Sequence, residues 1–313
     1  MKKTLIAVLA IIVLFLGFAY LYVPAQIEFQ VRKYALVNPV AATRALSVEK
    51  NWKEWWPPQD RTHHEDSIYS FNNSVFTVDR ELYNAFKIDI VKGDDTIHSL
   101  FNLVPTSADT TQLQWNAILN SSANPFKRLN KYWSTNETKR EMETILSSLV
   151  SFLQKQENIY GMQIRREVVQ DTLLVFREKI SDAYPNTASI YSLVNTLKNQ
   201  IKKAGANQTN PPMMNVIAIG PGKYRVMVAI PIDREFALND SLSFKRMVRG
   251  WILVSDIKGG PTRINQAIIE MRNFVNDYSK IPIALPFESM ITDRIAEPDT
   301  SKWTTRLYFP IVL

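Results

Sequence analysis

Glu288 is the residue whose type and setting could do chemistry. It sits in the run Pro286-Phe287-Glu288-Ser289-Met290-Ile291-Thr292, an otherwise apolar, strand-like stretch closed by Pro282 and Pro286. A carboxylate in a half-buried strand is costly unless a cation or a hydrogen-bond donor meets it. Glu288 is therefore either the partner of an Arg or Lys of this chain or the polar anchor of a ligand site. Desolvated among aromatic rings, its pKa would rise, and it would serve as base or nucleophile toward a small electrophile. Where a fold brings Tyr224, Trp251 and Tyr308 beside such an acid, their ring faces would suit a cationic ligand, since ring faces attract positive charge.

Other chemistries lack their residues. The chain has no Cys, which removes disulfides, thiol catalysis and thiolate metal sites. Its three His form no triad, and neither a Gly-x-Ser-x-Gly nor a His-Glu-x-x-His motif occurs. His63-His64-Glu65-Asp66 has metal-binding residue types, but adjacent side chains diverge whereas ligands must converge, so it reads as a solvated loop. With 9 Gly against 16 Pro, a glycine-rich phosphate cradle is not expected either. No metal and no cofactor is expected.

The elements that must position Glu288 begin with an apolar head. Lys2 and Lys3 precede an uncharged run over 5–23, close to the roughly 20 residues that span a bilayer. Tyr20 and Tyr22 sit where an interfacial anchor belongs. The run reads as a single-pass anchor within segment 1–25, in the inner (cytoplasmic) membrane with the bulk of the chain on the periplasmic side. A cleaved signal peptide is the alternative, although its apolar core is usually about 7 to 15 residues. The net charge of +7 comes from scattered Lys and Arg, with no run longer than two. It suits anionic headgroups or a solvated surface better than nucleic acid.

From 26 to 160 the pattern is strand, short helix, tryptophan-rich turn, strand meander and long helix. Ile27, Phe29 and Val31 alternate as in a strand. Asn38-Pro39 opens a helix, Asn51-Trp52-Lys53-Glu54-Trp55-Trp56 follows, and Asn124-Pro125-Phe126 precedes an amphipathic helix bearing Met142, Ile145, Leu146, Leu149 and Leu153 on one face. This region resembles the SRPBCC or START-like (polyketide cyclase) superfamily. The resemblance implies a helix-grip fold with an apolar cavity between sheet and terminal helix. Trp55, Trp56, Phe101 and Trp115 either line that cavity or fill the core.

From 161 to 313 one pattern occurs twice: strand, helix, strand, strand. The first copy has a strand at 163–169, a helix at 184–203 with Ile190, Val194, Leu197 and Ile201 on one face, then strands at 213–219 and 224–232. The second has a strand at 247–254, a helix at 261–279, then strands at 285–292 and 303–311. The last strands end alike, Ile230-Pro231-Ile232 and Phe309-Pro310-Ile311. Two copies of one unit pack about a pseudo-twofold axis, and a groove forms where they meet.

This half resembles the GyrI-like domain, the effector-binding domain of bacterial multidrug-responsive transcription activators. The residues that carry the resemblance are 224–233, the turn Lys258-Gly259-Gly260-Pro261, Pro286-Phe287-Glu288 and 303–311. It implies a groove for small, often cationic and aromatic molecules, with Glu288 neutralising the ligand. In some relatives the same acid hydrolyses small electrophiles. The sequence departs from the family's Glu-x-Tyr at Glu288-Ser289-Met290 and from its Gly-Pro-Tyr at Gly260-Pro261-Thr262, so two groove aromatics are missing. The expectation is an α+β protein: a membrane helix, a helix-grip domain and a duplicated β-α-β-β domain. Its function reads as binding of a small hydrophobic or cationic molecule. The alternatives are a hydrolase using Glu288 and a periplasmic scaffold that binds nothing.

Overall fold

The computed structural model describes residues 2–58, 67–82, 84–170, 172–238 and 242–312. The loop His63-His64-Glu65-Asp66 lies outside them. The chain divides into two compact units, Met1–Ile159 and Tyr160–Leu313. Both mix helices with antiparallel sheet.

The first unit opens with α1 (Lys2–Tyr22), then β1 (Gln26–Ala35), α2 (Pro39–Leu46), α3 (Glu49–Trp55), β2 (Ile68–Phe71), β3 (Ser74–Leu82), β4 (Ala85–Lys92), β5 (Asp95–Ser107), β6 (Thr110–Asn120) and α4 (Pro125–Leu153). α5 (Gln156–Tyr160) follows at the boundary. The sheet runs β1-β6-β5-β4-β3-β2. Two Asn-Pro pairs start helices in the same way. Asn38 accepts hydrogen bonds from the Val40 and Ala41 amides, Asn124 from those of Phe126 and Lys127, and each Pro fills a first-turn position that needs no donor. In β6 every second residue, Thr111, Leu113, Trp115, Ala117 and Leu119, is buried, as a half-covered strand requires.

The tryptophans pack on one another. Trp55 and Trp56 lie 5.3 Å apart by ring centroids, Trp56 and Phe76 5.2 Å, Phe76 and Trp115 6.1 Å, and Phe101 and Trp115 6.0 Å. All are buried. Of the two readings open to Trp55, Trp56, Phe101 and Trp115, these contacts are those of a filled core.

The apolar head differs from expectation at its far end. Tyr20 donates to the Ala123 carbonyl, Tyr22 meets Tyr132 edge-on, and Phe15 packs on Phe126 at 4.9 Å. Arg128 donates to the Val23 carbonyl through Nε (2.9 Å) and Nη2 (2.6 Å). Tyr20 and Tyr22 thus pack on α4 of their own unit. Earlier in α1, Ile6, Leu9, Ile11, Val13 and Leu14 are exposed. The side chains of Lys2, Lys3 and Leu5 are not among those described, which leaves an unbroken stretch from Ile6 to Tyr22. Among the described residues no helix is long and apolar enough to cross a membrane, so the span expected over 5–23 is not borne out there.

The second unit contains β7 (Arg165–Val168), β8 (Leu173–Ser181), α6 (Thr187–Lys203), β9 (Met213–Gly220), β10 (Lys223–Pro231), β11 (Ser243–Arg246), β12 (Trp251–Lys258), α7 (Pro261–Asp277), β13 (Ile281–Pro282), β14 (Phe287–Met290) and β15 (Thr304–Val312). The sheet order is β11-β8-β10-β9-β14-β15-β12-β7, with β13 on β15. The repeat is visible in that order: β8-β10-β9 and β12-β15-β14 are the same three-strand arrangement, joined where β9 meets β14. One assignment is corrected. The strand leading into the first helix is β8, and the segment at 163–169 instead supplies β7, which pairs with β12 at the far edge. β7 is exposed throughout, whereas Leu174 and Val175 of β8 are buried, as suits a strand covered by α6.

α6 buries Ile190, Val194, Leu197 and Ile201 against Val226, Val228 and Ile230 of β10. α7 buries Ile264, Ala267, Met271 and Val275. The turn before α7 needs glycine: Gly259 has φ +129°, and a side chain at Gly260 would come within 2.9 Å of Thr300 Oγ1. That approach seats α7 beside the loop between β14 and β15, which carries Arg294 and Trp303.

Candidate functional site

β14 sends alternate side chains to opposite faces of the sheet. Met290 joins the α6 core, and Glu288, two residues earlier, lies on the same face. Phe287 lies on the other face with its register partner Tyr308, on which it stacks at 5.0 Å and 20°.

Glu288 is only 8% exposed and is met from within its own chain. Arg294 returns from the loop six residues later and donates through Nη2 to Glu288 Oε2 and to Thr305 Oγ1, each at 2.9 Å. Its guanidinium lies 4.8 Å from the centre of the Trp303 ring. Nη1 approaches Met214 Sδ at 3.9 Å. The Arg294 amide donates to the Tyr191 hydroxyl at 2.6 Å. The loop is tied at both ends. The Thr304 amide donates to Thr292 Oγ1 (2.9 Å), Trp303 Nε1 donates to the Glu297 carbonyl (2.8 Å), and Asp293 accepts from the Ile295 and Ala296 amides.

Burial pushes the Glu288 carboxyl up from the ordinary carboxylate value, while the charge and hydrogen bond of Arg294 pull it down. The Tyr184 hydroxyl is raised as well, by burial first and then by the charge of Glu288. Tyr224 meets Tyr184 edge-on at 5.5 Å. The acid thus has tyrosines about it, and its cationic partner is Arg294 of the same chain.

The four residues expected to form one site are divided. Glu288 and Tyr224 lie on the α6 face, Tyr308 lies across the sheet, and Trp251 stands at the first residue of β12 with the Arg166 guanidinium 4.6 Å from its ring centre. Arg294, Trp303, Tyr184 and Tyr191 were not expected near Glu288. The usable signal was Arg294 itself, a lone cation six residues after a lone acid.

The second place of interest is a cleft of about 500 Å³ on the sheet face away from α6. Its floor comes from β9, β10 and β14, through Met213, Ile217, Met227, Ala229 and Phe287. One wall is the segment Lys245, Arg246, Met247 and Val248; the other is Ile283, Ala284 and Leu285. Trp251 borders it. Asn215 within it donates to the Pro286 carbonyl at 2.6 Å, which fixes the chain entering β14. Neither Glu288 nor Tyr224 reaches this cleft. Strand alternation alone does not reveal it, since an apolar residue facing a cleft reads the same as one facing a core.

Among the described residues no group of acidic or His side chains could hold a metal ion. No family profile matches the chain, and no curated protein sequence does. Solved structures resembling it include the C-terminal domain of EcmrR, at 16% identity over 48% of this chain and 98% of that one, with a TM-score of 0.42. SAV2435 bound to tetraphenylphosphonium aligns at 14% identity over 48% of this chain and 94% of that one, with a TM-score of 0.32. A hydrolase from Listeria innocua aligns at 11% identity over 50% of this chain and 96% of that one, with a TM-score of 0.36. Likenesses this distant carry no argument about activity.

Proposed function

We propose that the second unit is a GyrI-like small-molecule-binding module that takes its ligand in the cleft on the sheet face away from α6. The observation that carries this reading is the cleft itself: about 500 Å³, within the range of roughly 300–1,000 Å³ of small-molecule sites, and lined mainly by apolar side chains. Methionines are well suited to such a site, because their unbranched, polarisable side chains adapt to ligand shape. The reading moves the ligand away from Glu288. That carboxylate is already paired with Arg294, so it offers neither an open anion to a cationic ligand nor an available base. The hydrolase alternative is disfavoured on that ground. The scaffold alternative is disfavoured because the cleft is not filled by the protein's own side chains.

Thermal-shift titration of the full chain with neutral apolar compounds tests the proposal. A saturable rise in Tm that disappears on substitution of Met227 by Lys is expected. No stabilisation by any apolar compound would return the chain to the scaffold reading.

For the first unit we infer a START-like domain. In its favour are the element order, one strand, two short helices, five strands and a long helix, and the placing of α4 along β1. We also propose that α1 holds the chain at the inner membrane with both units on the periplasmic side. The apolar side chains exposed between Ile6 and Leu14 favour it. Carbonate extraction tests it: the full chain should stay in the membrane pellet, and release with the soluble fraction would overturn the anchor.

A further inference from the structure

We infer that the ligand of this cleft is an anionic amphiphile, a single apolar chain ending in a carboxylate. The inference rests on the proposed cleft and adds the charge of what fills it.

The charged side chains among the described lining residues are of one sign. Arg225, Lys245 and Arg246 line the cleft, and no Asp or Glu among the described residues does. Arg225 pairs in register with Ile217, and Lys245 with Leu174. Both partners line the cleft, so the two cations stand on its face. Both are exposed, and neither makes an ion pair among those found in the described residues. Arg246 differs, since Glu235 holds its Nη2 at 2.6 Å. The acids nearest by register and contact are that Glu235 and Glu178, which pairs with Met227 from β8 but is exposed and lies outside the lining.

Arg225 and Lys245 stand at opposite ends. Against β8, Arg225 is opposite Ile180 and Lys245 opposite Leu174. Six strand residues separate these positions, a span of roughly 20 Å. Between them the floor is apolar, with Met227, Ala229 and Met213. An extended hydrocarbon chain laid along this floor would therefore end beside a cation at either mouth. A cationic ligand, by contrast, would meet like charge at both ends with no carboxylate among the described lining residues. This charge is opposite to that expected for Glu288 on the far face.

The test uses the full chain labelled at its methionine methyl groups, with NMR shifts of Met213, Met227 and Met247 reporting occupancy of the cleft. Decanoate, decanol and decyltrimethylammonium, each kept monomeric, share one tail and differ in head charge. Decanoate should saturate these signals at a concentration about two- to fivefold lower than decanol needs, the factor that one partly screened charge contact supplies. In the double variant Arg225→Gln/Lys245→Gln the advantage should vanish while decanol binding stays. Both positions are exposed, so the fold should tolerate the change. Equal saturation by decanoate and decanol overturns the anionic inference and leaves the apolar cleft standing. Tighter binding of decyltrimethylammonium overturns it in favour of a cationic ligand. If none of the three moves the methionine signals, the cleft reading fails along with the inference.

Discussion

Arg294 and Glu288 form a buried ion pair between a strand and the loop that follows it, with Nη2 2.9 Å from Oε2 and both side chains at 10% exposure or less. Of the two readings open to Glu288, partner of a cation of this chain or anchor of a ligand, the pair is the first. It also ties the β14–β15 loop to the α6 face, since the same arginine binds Thr305, lies over Trp303 and, through its amide, meets Tyr191.

Removing one partner should cost far more than removing both. A buried charge stripped of its partner keeps its desolvation penalty, which destabilises by about 3–5 kcal/mol. Glu288→Gln and Arg294→Met should each lower the unfolding free energy by an amount in that range. The double variant should cost clearly less than the sum, because no uncompensated charge is left. A denaturant double-mutant cycle reads the coupling, and additive losses would show that the two side chains act independently.

Arg294 also predicts a chemical rescue. Arg294→Ala leaves Glu288 buried beside a vacated cation position, with the Trp303 ring still at hand. Low millimolar methylguanidinium should therefore raise the Tm of Arg294→Ala and leave the wild type unchanged. A charge-matched ammonium ion should rescue less, lacking the planar fork that suits carboxylate and ring. Equal response of variant and wild type would count against an arginine standing in the cation position.

Some of this was legible in the sequence and some was not, for identifiable reasons. The repeat was legible, because Ile190, Val194, Leu197 and Ile201 announce α6 by spacing, and the paired endings Ile230-Pro231-Ile232 and Phe309-Pro310-Ile311 mark equivalent strands. The acid was legible too, since an isolated Glu288 in an apolar strand must be answered by something. The answer was not: Arg294 reaches it through a loop whose path depends on the contacts of Thr292, Asp293 and Trp303, and loops carry no periodicity. The first strand of the repeat was misassigned for a related reason, as 163–169 and β8 both look strand-like and only pairing separates edge from interior. Trp251 and Tyr308 were grouped with Glu288 by aromatic type. Period-two alternation fixes a face only relative to a known neighbour, and Tyr308 faces Phe287 instead of the acid.

Two buried tryptophans should respond differently to loss of the indole nitrogen. Trp115 Nε1 donates to Ser99 Oγ at 2.9 Å, whereas Trp55 Nε1 is buried with no hydrogen-bond partner among the described residues. Trp→Phe removes volume in both cases, but only at position 115 does it also remove a made hydrogen bond. At position 55 it removes an unmet donor whose burial costs about 1–3 kcal/mol. Trp55→Phe should therefore be the milder change by at least about 1 kcal/mol in urea unfolding. A larger loss for Trp55→Phe would mean that its ring packing outweighs the stranded donor.

The cross-strand pair Asp256 and Arg306 sets a pH dependence with a definite sign. Arg306 donates to Asp256 through Nε at 2.6 Å and Nη2 at 3.3 Å, and Arg165 adds a bond at 2.9 Å. These hold the Asp256 carboxyl below its ordinary value of 3.8, with the Arg306 hydrogen bond the largest cause and burial opposing it. A carboxyl depressed in the folded state favours folding above the unfolded value and loses that contribution as pH falls through the depressed one. The side chain is 36% exposed, so solvent screens the pair and the contribution at pH 7 should stay below about 1 kcal/mol. Asp256→Asn should lower Tm slightly at pH 7, and wild type and variant should converge as the pH drops below the ordinary carboxylate range. Because Arg165 and Arg306 flank Asp256 on strands β7 and β15, the same substitution should weaken the edge pairing of β7 more than the strands around β9. Hydrogen exchange of the Arg165–Val168 amides reads that difference, and uniform exchange across the sheet would rule out a role for Asp256 in holding the edge.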